Sequence, residues 1–444
     1  MITVKKRLDS PECIFITLII LFGLLSTFVA YPFSNGDEGY HLSRSYSIFS
    51  KNNPKSMDVD NLRQIESNNT SQENSIQKYG WRTLIEDKIP DVESDSITFN
   101  FLNDNNSTLK LDIAHIPSAI GTLLGRITYP SYGVILIFAR LANLIFYSIC
   151  MFFIIKSSQI GKWSLIMLFS IPFLQKIASP SYDVFSYVAI AAFTVNIFSL
   201  IKQERYLNIT YKRIGYTILT ILMILFSKNN YIFILLLLLA LPPITDKFVK
   251  FYKKSNMLKK VLVYLILIIF TIGFVKITND KFDLLNFGKQ FFNSYINVET
   301  VGRRARTLFN IVPTILPDMF NLFWCLSLFF VMLTENGYKW RKLFIINSSV
   351  IFLVNWIGIY AGFYLILGNP SHEFDDLSGR YLHPFIICFL PLIQWISSRY
   401  SISVTQKSLK TVALGSTIIV MVAYLLVCYY RGFIIHITPT WNNR

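Results

Sequence analysis

"PECIFITLIILFGLLSTFVAYPFSNGDEGYHLSRSY", residues 11–46, sets some twenty apolar residues directly before a cluster of proton-handling side chains, Asp37, Glu38, His41 and Arg44. At about 1.5 Å per helical residue an unbroken apolar run of that length matches a hydrocarbon core roughly 30 Å thick. A membrane-crossing helix over about residues 14–33 is therefore expected, with a polar mouth at its far end. The run is long for the apolar core of a signal peptide and the acidic pair follows at once, so it reads as an uncleaved anchor.

The rest of the chain extends that reading. Of 444 residues 53% are hydrophobic and only 15% charged, and the mean hydropathy is +0.45. Apolar runs recur at about 133–155, 163–179, 184–201, 214–227, 230–244, 258–277, 317–333, 343–367, 381–396 and 411–430. An all-α integral membrane protein with about eleven transmembrane helices is expected, forming a single polytopic domain. The two runs beside "SKNNY" (Ser227 to Tyr231) are too short to cross upright as α-helices and suggest a shallow hairpin within the bundle.

The net charge of +16 does not mark a nucleic-acid binder, because the basic residues sit in short loops between spans instead of forming a basic domain. Placing Lys5 to Arg7, Lys156, Lys162, Lys202 to Arg213, Lys247 to Lys260, Tyr338 to Lys342 and Arg399 to Lys410 in the cytoplasm gives one consistent topology. The N-terminus is then inside, and eleven spans put the C-terminus outside. The expected partners are membrane lipids and membrane-borne substrates, with no nucleic acid. The five cysteines lie in or beside apolar runs, where no loop offers a disulfide pair or metal-ligand spacing.

Three segments face outward in this topology. The largest, residues 34–132, begins with a part, 34–112, that carries thirteen acidic and eight basic residues. Within it "ESNNTSQENS" (Glu66 to Ser75) is expected to be a polar connection without a core. "LDIAHIPSAIGTLLGRITYP" (Leu111 to Pro130), broken by Pro117 and Gly121, reads as an interfacial helix. The other two segments are 278–316, with "GRRARTLF" (Gly302 to Phe309), and 368–380 within "GNPSHEFDDLSGRYLHP".

A helix over residues 37–44 would put Asp37, His41 and Arg44 within about 60° of one face and turn Glu38 aside. A base, a proton shuttle and an anion partner would then share a surface, although charges beyond a span also serve as plain interfacial anchors. "DEGYH" lacks the two-histidine spacing of a zinc helix. Asp183, Arg140 and Lys228 sit where spanning helices rarely tolerate charge, which marks a functional site or a structural ion pair of Asp183 with Arg140 or Lys228. All map to the outer half of the bundle.

"DEGYHLSR" after the first span, "HIPSAIGTLLGR" before the second and "ARL" within it resemble the GT-C superfamily of polyprenyl-phosphate-dependent membrane glycosyltransferases. "SYD" before the fourth span, "SKNNYIF" in the hairpin and "SGRYLHPFIICFLPL" late in the chain resemble, more narrowly, a bacterial branch of predicted multispanning membrane proteins of unknown function. The resemblance runs over roughly residues 14–430 and rests on the order and placement of these motifs. It implies a GT-C-like fold in the cell membrane and transfer of a sugar, with inversion, from a polyprenyl-phosphate donor to a glycan or lipid acceptor of the cell envelope. By position Asp37 takes the place of the acidic residue that acts on the acceptor, with Glu38 as the alternative and His41 beside it. Arg380, Arg44, Lys228, Arg303, Arg304 and Arg306 are candidates for the donor phosphate, Arg380 first because a guanidinium grips phosphate bidentately. Around Arg303 a basic patch on anionic lipid headgroups is an equally good reading. Asp183, Arg140 and Tyr381 are supporting candidates.

Against better-known branches, only about fourteen residues follow the last span, and no D-x-D motif stands in a structured position. "DVD" (Asp58 to Asp60) has the spacing but lies in the polar region, so no obligatory metal or other cofactor is expected. A polysaccharide polymerase or ligase, or a transporter or flippase of lipid-linked glycans, would also have many spans. Polymerases set functional arginines in two large late loops, whereas the largest loop here comes first and is led by carboxylates. Transporters often show internal repeats with broken helices, and no repeat relates the two halves. The abundant Phe and Tyr are assigned to packing and lipid contact.

Overall fold

The computed structural model describes residues 10–35, 37–71, 80–100, 109–177, 179–202, 210–254, 283–295, 316–335, 338–366, 379–400 and 404–435, together with Met257, Val261, Leu265 and Ile402. These residues are helical or irregular, and a lone bridge between Ser50 and Ile97 is the only β-pairing among them. In chain order the helices are α1 (Pro11–Val29), α2 (Glu38–Ser47), α3 (Val59–Ser71), α4 (Leu109–Thr128), α5 (Tyr132–Ser157), α6 (Lys162–Ile177) and α7 (Asp183–Lys202). There follow α8 (Tyr211–Leu225), α9 (Pro242–Lys254), α10 (Leu284–Tyr295), α11 (Asp318–Thr334), α12 (Lys342–Ile366), α13 (Leu390–Tyr400) and α14 (Gln406–Tyr429).

Among the described residues five helices are long and apolar enough to cross a membrane: Pro11–Val29, Tyr132–Ser157, Asp183–Lys202, Lys342–Leu365 and Gln406–Ile434. Shorter apolar helices lie at Lys162–Ile171, Asn229–Ala240 and Met319–Thr334. The expected span at 258–277 falls outside the described residues apart from two positions. Ile20, Leu21, Leu24, Leu25 and Phe28 on α1 are exposed, as are Ile145, Ile149 and Phe153 on α5. Rows of bare aliphatic and aromatic side chains are the surface expected against lipid tails, which solvate them.

The α7 helix is buried nearly all round, at 94% of its spanning window, and forms the centre of the bundle. Its hydrophobicity on every face requires that position. Beside it, Asn229–Ala240 is a 3-10 helix, not the α-helix its composition suggests. Its buried residues, Tyr231, Ile234, Leu237 and Ala240, recur every third position, the period at which 3-10 side chains eclipse. They form one stripe toward the bundle.

The segment between α1 and α5 carries a core of its own. Phe33, Leu42, Tyr46, Met57, Leu62, Ile65, Leu84 and Val92 pack on Ile135, Leu136 and Ala139 in the first turns of α5. Burying each such aliphatic or aromatic side chain contributes about 1.5–3 kcal/mol. Of the stretch expected to be a connection without a core, residues 66–71 continue α3, whose Leu62 and Ile65 just upstream face this core, and 72–75 lie outside the described residues. The apolar residues lie upstream of the quoted polar run, and their i, i+3 spacing gives the helix its buried side.

The α4 helix lies on α5 through Gly121 and Gly125. A Cβ on either glycine would come within 2.7 Å of an α5 Cα, of Ala139 and Ile135 respectively. Small residues four apart let two backbones approach this closely. Asp95 fastens the lobe, accepting hydrogen bonds from the Tyr46 hydroxyl (2.9 Å), the Ser50 hydroxyl (2.5 Å) and the Asn52 amide (3.1 Å). It also pairs with Arg126 of α4 at 3.3 Å.

Candidate functional site

The chain leaves α1 through a turn that ends at Asp37, which has left-handed backbone angles (φ 62, ψ 11) and an exposed side chain. Helix α2 starts at the next residue. Asp37 is its N-cap and its carbonyl accepts the His41 amide at 3.0 Å, while its side chain makes no capping bond. An N-cap residue normally has extended angles, from which its side chain reaches the N2 or N3 amide; left-handed angles turn the carboxylate away. The expectation that Asp37, His41 and Arg44 share one face is corrected accordingly. Asp37 precedes the helix and points outward, His41 is buried and Arg44 is half-buried.

Glu38 is not turned aside. It is fully buried and bound bidentately by Arg140 of α5, Nε and Nη2 each donating at 2.9 Å. The same guanidinium donates to the carbonyls of Thr27 and Ala30 at 2.9 Å and of Tyr31 at 3.0 Å, acceptors at and just beyond the end of α1. The Trp81 ring covers it at 5.2 Å. Burial pushes the Glu38 carboxyl up, opposed by the charge and hydrogen bonds of Arg140 and by Lys176 nearby. Arg140 and Glu38 therefore form a structural joint between α1, α2 and α5.

His41 Nδ1 lies 3.0 Å from His115 Nε2 of α4, and the Ser181 hydroxyl is 3.4 Å from His41 Nε2. The Tyr182 ring packs on both imidazoles, at 4.9 and 5.3 Å between centroids. The His41 imidazole is held well below its ordinary pKa, first by burial, then by His115 and the cations Lys176 and Lys228, against the pull of Asp183. The two rings meet through that single nitrogen-to-nitrogen contact.

Asp183, at the start of α7, forms an ion pair with Lys228 at the head of the 3-10 helix. The Lys228 ammonium lies 4.9 Å from the Tyr182 ring and 4.5 Å from the Tyr381 ring, a cation held between two aromatic faces. Of the two partners the sequence left open for Asp183, the structure selects Lys228. Lys176, at the end of α6, is buried and donates to the Asn35 carbonyl at 3.2 Å.

Three residues here were not among the expected site residues: His115, although it opens the quoted "HIPSAIGTLLGR", Lys176 and Glu66. Glu66 of α3 accepts the Gly39 amide of α2 at 3.2 Å. Its carboxyl pKa is pushed up to about 7, first by burial and then by the charges of Glu38 and Asp37, against the pull of the Gly39 and Asp37 amides.

The Arg44 and Arg63 guanidiniums both lie over the Tyr40 ring, at 5.7 and 5.5 Å from its centre. Arg380 stands in the short turn Gly379–Tyr381, one residue before Tyr381; its side chain, like Arg303, Arg304 and Arg306, lies outside the described residues. Among the described residues no three His, Cys, Asp or Glu side chains come together in a way that would hold a metal ion. Asp58 of "DVD" caps α3, accepting the Asn61 amide at 2.7 Å.

A family model described as "Predicted membrane protein (DUF2142)" matches residues 20–390. No curated protein and no solved structure matches the chain.

Proposed function

We propose that the chain, which belongs to the DUF2142 family of predicted membrane proteins, is a glycosyltransferase of the GT-C kind. On this reading it crosses the cell membrane eleven times with its N-terminus in the cytoplasm and its C-terminus outside. It moves a sugar from a polyprenyl-phosphate donor to a glycan or lipid acceptor at the outer face.

The observation that carries the reading is the exposed Asp37 carboxylate at the end of the first span, one helical turn from a buried centre of Lys228, Asp183, His41 and His115. The acceptor hydroxyl gives its proton to Asp37 as its oxygen forms a bond to the anomeric carbon. The bond from that carbon to the phosphate oxygen breaks, and polyprenyl phosphate leaves with the electron pair. A positioned carboxylate suits the first task, and cations near the leaving phosphate suit the second. Lys228 is the cation that the geometry supports, with Arg44 on the same helix as Asp37 and Arg380 next to Tyr381 as further candidates. Glu38, held by Arg140, is less suited to act as base than Asp37.

The test is consumption of a panel of labelled polyprenyl-phosphate sugars by the protein in lipid nanodiscs. Release of polyprenyl phosphate that vanishes in Asp37→Asn supports the transferase and names the donor. No release from any donor, with native glycan acceptors present, sets it aside in favour of a polymerase or transporter.

A further inference from the structure

An Asp at a helix N-cap ordinarily folds back onto the N2 or N3 amide of its own helix. In α2 the N2 amide belongs to Gly39, and it is taken by Glu66 from α3 at 3.2 Å. Asp37, the N-cap itself, makes no such bond and is exposed. One carboxylate has replaced another at the helix end, and the displaced one is the group assigned to the acceptor.

The exchange is built into the packing of the two helices. A Cβ on Gly39 would stand 2.8 Å from the carbonyl carbon and oxygen of Leu62, so the first turn of α2 rests directly on the α3 backbone. Leu62 lies one helical turn before Glu66, and the contact delivers the Glu66 carboxylate to the Gly39 amide. The Tyr40 ring, next to Gly39, joins the same helices by lying under the guanidiniums of Arg44 of α2 and Arg63 of α3. The left-handed backbone of Asp37 completes the arrangement, because from it the side chain does not reach the amides.

We propose that Glu66 is a positioning residue: by capping α2 in place of Asp37 it keeps the Asp37 carboxylate outside the helix and free to meet the acceptor. This rests on the reading of Asp37 as the base. Glu66 touches neither donor nor acceptor in this role. Its raised pKa accords with a carboxylate pressed between a helix end and the charges of Asp37 and Glu38, the latter paired with Arg140.

The position of Asp37 is measurable without turnover. Full-length protein in nanodiscs is treated with a water-soluble carbodiimide and glycine ethyl ester, and modification of Asp37 is followed by peptide mass spectrometry in wild type, Glu66→Ala and Glu66→Gln. In Glu66→Ala the vacant Gly39 amide draws Asp37 into the ordinary capping conformation, and its labelling slows roughly fivefold, the population shift that one capping bond brings. Glu66→Gln retains an acceptor oxygen for Gly39 and labels as wild type does. In the transfer assay Glu66→Ala lowers kcat with the donor KM unchanged, and Glu66→Gln restores it. Equal Asp37 labelling in wild type and Glu66→Ala overturns the proposal, even if transfer and its loss in Asp37→Asn stand. Slowed labelling without transfer from any donor keeps the capping exchange and removes the transferase reading instead.

Discussion

Arg140 and Glu38 meet as a bidentate pair at 2.9 Å with both side chains wholly buried, 102 residues apart in the chain. The pair closes the end of the first span against the second and fixes where α2 begins. Removing one partner leaves a buried charge uncompensated, at a typical cost of about 3–5 kcal/mol. Arg140→Gln and Glu38→Gln should each lower the unfolding temperature in detergent markedly, and the double variant should lose much less than their sum. Additive losses would mean that the two side chains act independently.

Asp37 separates stability from activity. A left-handed backbone costs an ordinary L-residue about 1–2 kcal/mol and glycine almost nothing. Asp37→Gly should unfold at or above the wild-type temperature, Asp37→Val should unfold lower, and neither should transfer sugar. If Asp37→Val proved as stable as Asp37→Gly, the left-handed turn would not be a feature of the folded protein.

Crowding at the α4 and α5 crossing sets a second stability test. Gly121→Val forces a side chain into the α5 backbone, and overpacking of this kind costs about 1–3 kcal/mol. Gly215 of α8 has nothing within 4 Å of an added Cβ, so Gly215→Ala should raise stability by about 0.5–1 kcal/mol through reduced chain entropy. Fluorescence-detected size-exclusion melting of both variants reads the contrast directly, and a tolerated Gly121→Val would refute the close crossing.

The lobe between α1 and α5 should lose stability at both ends of the pH scale. Burial works to raise the Asp95 carboxyl, but hydrogen bonds from Ser50, Tyr46 and the Asn52 amide, with the Arg126 charge, hold it below its ordinary value. A depressed carboxyl stabilises above its unfolded pKa of about 3.9, and that contribution is lost as the pH falls through the folded value. Glu66 behaves in the opposite sense. Its folded pKa of about 7 exceeds the unfolded value, so its contribution is complete below about pH 4.3 and lost as the pH rises through 7. Melting curves against pH should flatten on the acid side in Asp95→Asn and on the neutral side in Glu66→Gln; unchanged profiles would count against these environments.

The helices that reach across the membrane were legible because lipid solvation demands long apolar runs, and α1, α5, α7, α12 and α14 begin and end within a few residues of the expected limits. Charges beside the spans marked residues that the fold brings into pairs, Glu38 with Arg140 and Asp183 with Lys228. Their pairing was not legible. Asp183 had two cations available, and only the path of α5 beneath α1 commits Arg140 to Glu38. His115 is 74 residues from His41, and Glu66 stands in a polar run whose composition suggested no packing. Contacts of that range depend on how α3 and α4 lie on α2, which no local period encodes. The left-handed Asp37 escaped notice for a similar reason, since the preceding turn is set by burial of Phe33 in the lobe core.

The 3-10 form of Asn229–Ala240 bears on how so short a segment traverses the bundle. Twelve residues extend about 18 Å as an α-helix but about 24 Å at the 2.0 Å rise of a 3-10 helix. The narrower, stretched coil gains slightly more than the length of one α-helical turn without an added residue. It also sets Tyr231, Ile234, Leu237 and Ala240 in a straight row, so the segment needs no supercoil to stay in register with its neighbours. Lys228 at its head is carried outward by that extra reach, to the level of Tyr182 and Tyr381. Inserting one helical turn of leucine residues after Leu236 would let an α-helix cover the same distance and keep this charge at the same level.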